Sequence, residues 1–455
     1  DDERQGLIQP QVVAPPISDD CSLATVPLQT ASFASNNNGN NNHHADENQK
    51  LLQIFFKESV ETLDRVYSSN SGSEQCAMVE ELFRVLDLRM AVLDDFAFCG
   101  DDVDVSTDQS DRIVVEGIQR LLQALGEAHT RHMTKIMAHV APPSSRDGND
   151  KSFKVACVLA NEMVRIADRL EGGWIADLVE RYPHLEWNEG NQNNKTCTIF
   201  IHQATCLAEQ LRKDATVVAQ EKIPRCVIQS IRSQSVRLFS AEWEEQYVNN
   251  EVMQAIVQII KKSLDEAKTL LLKEDLFHSF LDASTKATVG YYLQELAYKA
   301  SHDRRHKFSD PSKALICLRK DIRLLQSCFK DATAALPQNQ DLRRIVVNEL
   351  NTLDIVYEFL SLACNRKEDF SFVEDFILIL HQKLGSNVDI TNLFVTDMWM
   401  LMAPQERRQI HHQVKLMMEE LNMVSERMKE QQEILDYEEE QRKQLQEQQQ
   451  QMDHA

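Results

Sequence analysis

Glycine and proline are scarce in this chain, with only 12 and 11 among its 455 residues. Turn-rich β folds and α/β folds with glycine-rich loops need more of both, because tight turns depend on them. The sequence instead contains long stretches in which apolar residues recur every three or four positions, the period of an amphipathic helix. It therefore predicts an all-α fold, arranged as an elongated rod of consecutive antiparallel helical bundles.

Long hydrophobic runs and an excess of basic charge are also missing. The strongest apolar run, Phe-Ile-Leu-Ile-Leu at 376–380, is far shorter than the roughly 20 residues that span a bilayer. Acidic side chains number 71 against 49 basic ones, which gives a formal net charge of -22. Because such a surface repels phosphate backbones, we expect no nucleic-acid partner. The chain begins at Asp1 rather than methionine, and we interpret it as a fragment.

The ten cysteines are spread singly, without a CxxC pair. This pattern is typical of thiols in a reducing compartment rather than of a disulfide framework. Five of them fall within apolar helical patterns and are predicted to be small buried side chains: Cys157, Cys206, Cys317, Cys328 and Cys364.

Signatures of catalysis and cofactor binding are absent from the sequence. It contains neither of the glycine-rich phosphate-binding patterns and no GxSxG motif. The segment 102–108 alternates acidic residues like the start of a calcium loop, but Thr107 and Ile113 stand where that loop needs glycine and glutamate. We therefore predict a protein that is not an enzyme, with no catalytic residue, no cofactor and no metal ligand.

Three histidines, His129, His132 and His139, are spaced so that they could share one helix face. A metal site would need a fourth ligand and partners that orient the imidazoles, and none is apparent nearby in the sequence. We interpret these residues as surface histidines.

Composition and loop signals divide the chain into five predicted segments. Residues 1–47 are rich in proline and asparagine and are predicted to be disordered, because they cannot bury enough apolar surface. Three helical regions follow at 48–147, 148–247 and 248–430, and a glutamine- and glutamate-rich tail, helical or disordered, occupies 431–455. A heptad-like pattern over 414–428 is shorter than the roughly three to four heptads that identify a coiled coil, so it favours a final bundle helix, with a coiled coil as the alternative.

Some boundaries within these regions are also predicted. Gly172-Gly173 predicts a turn, and separate helices are expected at about 198–219 and 223–247. Further loops are predicted near 302–312, 332–340 and 383–391.

One dense basic cluster, with Arg304, Arg305 and Lys307 around His306, lies in a predicted loop between two helices. Most such clusters are solvated. The alternative is a contact with anionic lipid, in which each basic residue contributes about 1 kcal/mol.

Two tryptophans could either lie on a surface that binds a partner or pack in the core. These are Trp243, and Trp399 with Met398, Met400 and Met402 around it. Their helical context favours core packing for both, although methionine-rich surfaces are also used to bind partners.

The segment from Trp243 to Phe329 carries a family resemblance through the order of its features. Trp243 precedes an amphipathic helix that begins near Met253, the run 288–293 ends in Tyr-Leu, and an acidic-leucine-phenylalanine helix follows. This order resembles the C-terminal half of the exocyst complex component three family, the sixth subunit in the secretion-gene series. The residues that resemble the family's structural anchors are Trp243, Tyr292, Leu293, Asp321, Leu325 and Phe329.

The resemblance extends over about 150–430 and implies a function. It implies a non-catalytic subunit of the exocyst, the complex that tethers secretory vesicles at the plasma membrane before SNARE-mediated fusion. Implied partners are the other exocyst subunits, SNAREs or their regulators, and a weak peripheral contact with anionic membrane. The implied location is cytoplasmic, at plasma-membrane sites of secretion. Two alternatives stay open: another helical tether or SNARE-regulating rod, and an unrelated all-α adaptor scaffold.

Overall fold

The computed structural model describes the helices and the short segments that join some of them. The described residues are 42–70, 77–98, 107–138, 146–183, 185, 195–246, 249–302, 308–334, 336, 339–364, 397–402, 412, 415 and 416. Within these ranges every regular element is a helix and no strand occurs, which confirms the all-α prediction. The first helix begins at Asn42, inside the segment predicted to be disordered; the rest of that segment and most of the 414–428 pattern lie outside the described residues.

The helices are numbered here in chain order. They are α1 (Asn42–Asn70), α2 (Met78–Phe98), α3 (Thr107–Ala138), α4 (Arg146–Arg169), α5 (Ile175–Arg181), α6 (Lys195–Val217), α7 (Ile223–Ser235), α8 (Ala241–Glu245), α9 (Glu251–Leu270), α10 (Glu274–His302), α11 (Pro311–Ala334) and α12 (Gln340–Cys364). Two π-helical segments, Leu170–Trp174 and Val218–Lys222, join α4 to α5 and α6 to α7.

The described residues form two compact units. The N-terminal unit contains those from 42 to 233 and from 259 to 287, and the C-terminal unit contains those from 234 to 258 and from 288 onward. The bundle boundaries expected near 147 and 247 and the rod shape stay predictions.

The N-terminal unit is built on the packing of α1 against α3 and of α4 against α6. The apolar residues of α3 that recur every three or four positions form its buried face: Val114, Ile118, Leu121 and Leu125 are all inaccessible to solvent. These positions follow the helical period, so burial of one stripe accounts for the orientation of α3 in this unit.

Gly117 lets α2 approach α3 closely. A Cβ atom added at Gly117 would lie 2.4 Å from Cδ1 of Leu93, a fully buried side chain of α2. One of the few glycines of the chain therefore marks a helix-helix contact rather than a turn.

Two predicted helix breaks are wrong. The helix does not stop at Gly172-Gly173 but continues through the first π segment to Arg181. Glycine costs a helix only about 1 kcal/mol per residue, and the buried side chains of Leu170 and Trp174 flank the pair.

The break expected between about 219 and 223 is also missing, because residues 195–235 are helical throughout. Pro224 cannot donate the N–H that an α-helix requires at that position. The second π segment ends at Lys222, two residues before Pro224, and such a widened turn accommodates the lost hydrogen bond without ending the helix.

The C-terminal unit pairs α11 with α12, and α8 packs against α11. Apolar residues that recur with the helical period, Leu318, Ile322, Leu325 and Phe329, are buried on α11. The part of α10 in this unit is covered on nearly all sides: of residues 288–300, only Tyr298 is exposed. A helix with this burial pattern lies in the centre of its unit.

The loops expected near 302–312 and 332–340 lie where α10 gives way to α11 and α11 to α12. The loop expected at 383–391 lies outside the described residues. Among the helices that are described, none has the length and apolar character needed to cross a bilayer.

Candidate functional site

The carboxylate of Asp321 lies in the middle of α11, fully buried, and accepts hydrogen bonds from three side chains. The indole Nε1–H of Trp243 and the hydroxyl of Tyr292 each donate to Oδ2 at 3.0 Å. The amide Nδ2 of Asn250 donates to Oδ1. This buried Asp321 cluster joins α8, α10 and α11 to the residue that precedes α9, so one side chain ties together four separate stretches of sequence.

Asn250 reaches the cluster because of its backbone conformation. Its φ of 48° places it in the left-handed region, which asparagine tolerates better than most residues. Its N–H donates to the Gln246 carbonyl at 2.8 Å, and its own carbonyl accepts from the Gln254 N–H at 3.0 Å. This arrangement starts α9 and turns the Asn250 side chain toward Asp321.

Aromatic rings enclose the cluster. The ring of Phe239 packs edge-on at centroid distances of 5.1 Å from Trp243 and 5.2 Å from Tyr292, and Phe308 lies 5.5 Å from Trp243. Within the described part of the chain, no cation is among the hydrogen-bond partners of Asp321. Burial in this apolar setting raises the pKa of Asp321 to about 7, although its three donors act in the opposite direction.

A second buried carboxylate, that of Glu244, caps the N-terminus of α11. Its Oε2 accepts the backbone N–H groups of Ser309 at 2.8 Å and Asp310 at 3.3 Å, and the Ser309 hydroxyl at 2.5 Å. The Asp310 side chain in turn accepts from the N–H groups of Ser312 and Lys313, at 3.1 and 3.2 Å. Together the two acidic residues satisfy N–H groups that a helix start leaves without partners.

In the N-terminal unit, His129 of α3 pairs with Asp214 of α6. Nε2 of the imidazole lies 2.7 Å from Oδ2, and Gln210 donates to the other carboxylate oxygen at 2.9 Å. The ring of Tyr67, on α1, packs 4.8 Å from that of His132 and 6.0 Å from that of His129.

The interpretation of His129 and His132 as surface histidines is therefore wrong, since both are buried. The packing of α1 and α6 on α3 covers them, and no spacing within α3 reveals that. Burial and the neighbouring His129 lower the pKa of His132 to about 4. His139 lies outside the described residues. Over the part of the chain that the structure describes, no three His, Cys, Asp or Glu residues are placed to hold a metal ion.

Buried polar side chains of α4 bind backbone groups of other elements of the same unit. Asn161 donates to the Leu270 carbonyl at 2.7 Å and accepts from the Leu272 N–H at 2.9 Å, which secures the end of α9. Glu162 accepts from the Val79 N–H at 3.1 Å, at the start of α2. The side chains of Asn161 and Glu162 therefore connect elements inside the unit and do not face a cleft.

Of the family-resembling residues, the structure brings Trp243, Tyr292 and Asp321 into direct contact. Leu293, Leu325 and Phe329 are buried in the same unit but make no hydrogen bond in the cluster. Their equivalence to the family's anchors stays a prediction. Arg304, Arg305 and Lys307 lie outside the described residues, so their contact with lipid also stays a prediction.

Sequence reasoning missed Asn250, Phe239 and Glu244. Asparagine directly before an acidic first turn could have marked Asn250 as the start of α9, but not as a donor to Asp321. Glu244 and Phe239 carry no comparable signal, because their roles depend on residues distant in the sequence.

Trp243 and Trp399 are both buried, as their helical context favoured, and Met398 and Met402 are buried with Trp399. Cys157, Cys317 and Cys328 are buried as expected, whereas Cys364, also predicted to be buried, is only partly buried. Cys206 is exposed, which the sequence did not predict, because it lies on the outer face of α6 beside His202.

Comparison with known proteins found similarity at the level of structure. No family model matches the chain, and no curated protein does. Among solved structures, it is similar to the crystal structure of the C-terminal domain of the exocyst subunit Sec6p, with a TM-score of 0.54 and 12% sequence identity over 86% of this chain and 94% of that one. At this identity the likeness shows the fold. The resemblance noted in the sequence is thus confirmed for the fold, and membership of the family stays a prediction.

Proposed function

We propose that this protein is a non-catalytic subunit of the exocyst that helps to hold secretory vesicles at the plasma membrane before SNARE-mediated fusion. The observation that carries the proposal is the likeness of fold to an exocyst subunit domain, which extends over most of both chains. The sequence-based resemblance from Trp243 to Phe329 points to the same subunit by a separate route.

The use of polar groups inside the protein supports a scaffold. Buried carboxylates such as Asp321 and Glu244, and the buried amide of Asn161, bind groups on other elements of their own unit. Their hydrogen bonds fix which segments meet. A tethering subunit needs such fixed contacts between its segments, because it must keep its shape when partners bind to it.

The proposed partners are the other exocyst subunits, and SNAREs or their regulators. Long helices offer an extended lateral surface, and several weak contacts along one chain gain from effective concentration. The proposed location is the cytoplasmic side of the plasma membrane at sites of secretion.

The basic residues Arg304, Arg305 and Lys307 are the proposed contact with anionic lipid. Three basic residues supply only about 3 kcal/mol, so the contact would be weak and would act together with protein partners. Flotation with vesicles containing phosphatidylserine and phosphatidylinositol bisphosphate tests it. Replacement of the three residues by glutamine should lower the bound fraction, whereas the same replacement of exposed Lys330, Arg343 and Arg344 should not.

Acute depletion of the protein in its own cells tests the tethering role. We expect secretory vesicles to accumulate near the plasma membrane in electron micrographs and secretion of a cargo protein to fall. Re-expression of the wild type, or of the exposed-site variant Asp331→Asn, should restore both. Normal vesicle numbers and normal secretion after complete depletion would exclude the tethering role and leave an all-α adaptor as the alternative.

A further inference from the structure

The solvent-facing side of α11 carries a stripe of basic side chains. Its members follow one another at steps of three and four residues and form the α11 basic stripe: Lys313, Ile316, Lys320, Arg323, Ser327 and Lys330. Lys320 is half-buried and the others are exposed. The stripe points away from the buried face of the same helix, which contains Leu318, Ile322, Leu325 and Phe329. A molecule that approaches α11 from solvent therefore meets this stripe.

The charge of α11 is opposite in sign to that of the whole chain. The helix contains five basic and two acidic residues, whereas the chain has a formal net charge of -22. Asp321, one of the two acidic residues, is buried, and Arg319 pairs with Asp354 of α12 at 2.9 Å. The stripe thus presents four basic residues to solvent, and the only exposed carboxylate of α11 is that of Asp331.

The basic residues of the stripe differ in their partners. Lys313 lies 3.7 Å from a carboxylate oxygen of Asp310. Within the described residues, no carboxylate forms an ion pair with Arg323 or Lys330. The positive charges of these two exposed side chains, two helical turns apart, are therefore accessible to an anionic partner.

The spacing of the stripe suits a helical partner. Alternating steps of three and four residues form the seam along which two helices pack side by side. From Lys313 to Lys330 the stripe is about 26 Å long, because each residue adds about 1.5 Å to a helix. Ile316, which is 46% exposed, adds one apolar contact point. A second helix of similar length, lying along α11, would contact every member of the stripe.

Charge and width indicate the kind of partner that fits. The partner must carry acidic residues opposite the four basic side chains. At physiological ionic strength, charges farther apart than about 8 Å are largely screened, so a partner one helix wide responds mainly to the stripe. A flat membrane or a nucleic acid would also meet the acidic side chains that predominate in this chain. An acidic helix avoids that repulsion.

We propose that the α11 basic stripe is a docking surface for an acidic amphipathic helix of another protein. Glutamate or aspartate side chains of that helix, spaced by three and four residues, pair with the four basic side chains, and an apolar side chain packs on Ile316. Ion pairs between exposed side chains are individually weak, so the contact is sensitive to salt and is supported by other contacts of the same partner. This docking surface follows from the charge and spacing of α11 and does not depend on the exocyst role.

A designed peptide tests whether the stripe binds this chemistry. The probe is a fluorescently labelled helical peptide of about 20 residues, with glutamates at alternating steps of three and four and one leucine among them. A control peptide of the same composition has its glutamates distributed around the helix. Fluorescence anisotropy with the full chain should show binding about tenfold tighter for the probe than for the control, and most of that affinity should be lost in high salt. Equal binding of both peptides, or no binding of the probe, would overturn the proposal.

Two pairs of charge reversals locate the binding. Arg323→Glu with Lys330→Glu alters the stripe, and Lys261→Glu with Lys268→Glu makes the same change on exposed residues of α9 with the same spacing. The first pair should weaken probe binding by about tenfold and the second should not. A peptide with lysine in place of glutamate should bind the first variant more tightly than the wild type. Equal losses in both variants, or a loss without this rescue, would contradict docking on α11.

Cross-linking of the protein purified from its own cells identifies the partner. A carbodiimide joins lysine amines to carboxylates in direct contact, so mass spectrometry should find Lys320 and Lys330 linked to one acidic helical segment of another protein. Lys261 and Lys268 are the controls and should not be linked to that segment. Links only to a second copy of this chain, or no link at either stripe lysine, would exclude the proposed partner. Binding to phosphatidylserine vesicles that the stripe variant loses would indicate a lipid surface instead and would likewise overturn the proposal.

Discussion

Trp243 donates its indole N–H to the carboxylate of Asp321 across 3.0 Å, although 78 positions separate the two residues in the sequence. Tyr292 and Asn250 donate to the same carboxylate, and none of the described residues that hydrogen-bond to it is a cation. The centre of the C-terminal unit is therefore held by one buried carboxylate whose charge state affects the stability of the unit.

The first prediction concerns the pH dependence that Asp321 confers. Its pKa is raised to about 7 from 3.8, so the folded protein holds this proton more tightly than the unfolded chain does between about pH 4 and 7. The free energy of unfolding should consequently fall as the pH rises through this window, by a few kcal/mol. Urea denaturation at pH 5 and pH 8, followed by tryptophan fluorescence, measures the difference.

The substitution Asp321→Asn should flatten that dependence, because the amide keeps the acceptor oxygen but cannot ionise. Asp331→Asn, at an exposed position of the same helix, is the matched control and should leave the slope unchanged. An unaltered slope in Asp321→Asn would show that other groups dominate the titration.

The second prediction concerns the N-terminal unit, where the free energy of unfolding should depend on pH in the opposite direction. Burial lowers the pKa of His132 to about 4 from 6.5, so between these values the unfolded chain binds more protons than the folded protein. The free energy of unfolding should thus fall as the pH drops from about 6.5 toward 4. His132→Phe removes the titration and keeps a ring against Tyr67.

Thermal unfolding of this variant at pH 7 and pH 5 should show a smaller loss on acidification than the wild type. His202→Gln, at an exposed position, serves as the control and should lose as much as the wild type. If His132→Phe loses the same amount too, the buried histidine is not the acid-sensitive group.

A third prediction contrasts two helical glycines. Gly117→Ala places a methyl group 2.4 Å from Leu93, so the free energy of unfolding should drop by about 1–3 kcal/mol. Gly290→Ala in α10 meets nothing within 4 Å and should raise it by up to about 1 kcal/mol. Chemical denaturation of both variants gives the comparison, and a stabilising Gly117→Ala would mean that α2 and α3 do not approach as closely as described.

Asn161 provides a fourth prediction. Its side chain both donates to the Leu270 carbonyl and accepts from the Leu272 N–H, so Asn161→Ala leaves two backbone groups without their partner. We expect a loss of about 2–3 kcal/mol in the free energy of unfolding. Hydrogen exchange should accelerate at the end of α9. The exposed-site variant Asn351→Ala should lose nothing, and a similarly mild effect at Asn161 would argue against the two hydrogen bonds.

The helices of this chain were predictable because the apolar residues repeat with the helical period over long stretches. The stripes of α3 and α11 are buried where the pattern placed them. The break predicted at Gly172-Gly173 was wrong because the cost of glycine, about 1 kcal/mol per residue, does not end a helix that tertiary packing sustains. The break predicted near residue 220 was wrong because the π turn before Pro224 accommodates the missing N–H.

The Asp321 cluster was only partly predictable. The family resemblance selected Trp243, Tyr292 and Asp321 as structural anchors. It did not predict that Trp243 and Tyr292 donate hydrogen bonds to Asp321. The buried pair of His129 and Asp214 was missed, because a partner 85 positions away leaves no trace in the spacing of the histidines. Long-range polar contacts of this kind depend on how helices meet, which the period of each helix does not specify.

The most direct test of the central claim is affinity purification of the full-length protein from its own cells at endogenous level, with the co-purifying proteins quantified. The account predicts recovery of the other exocyst subunits in near-equal molar amounts. Recovery of a folded, abundant protein without any of them would contradict the proposed role and leave only a helical scaffold with an exocyst-like fold.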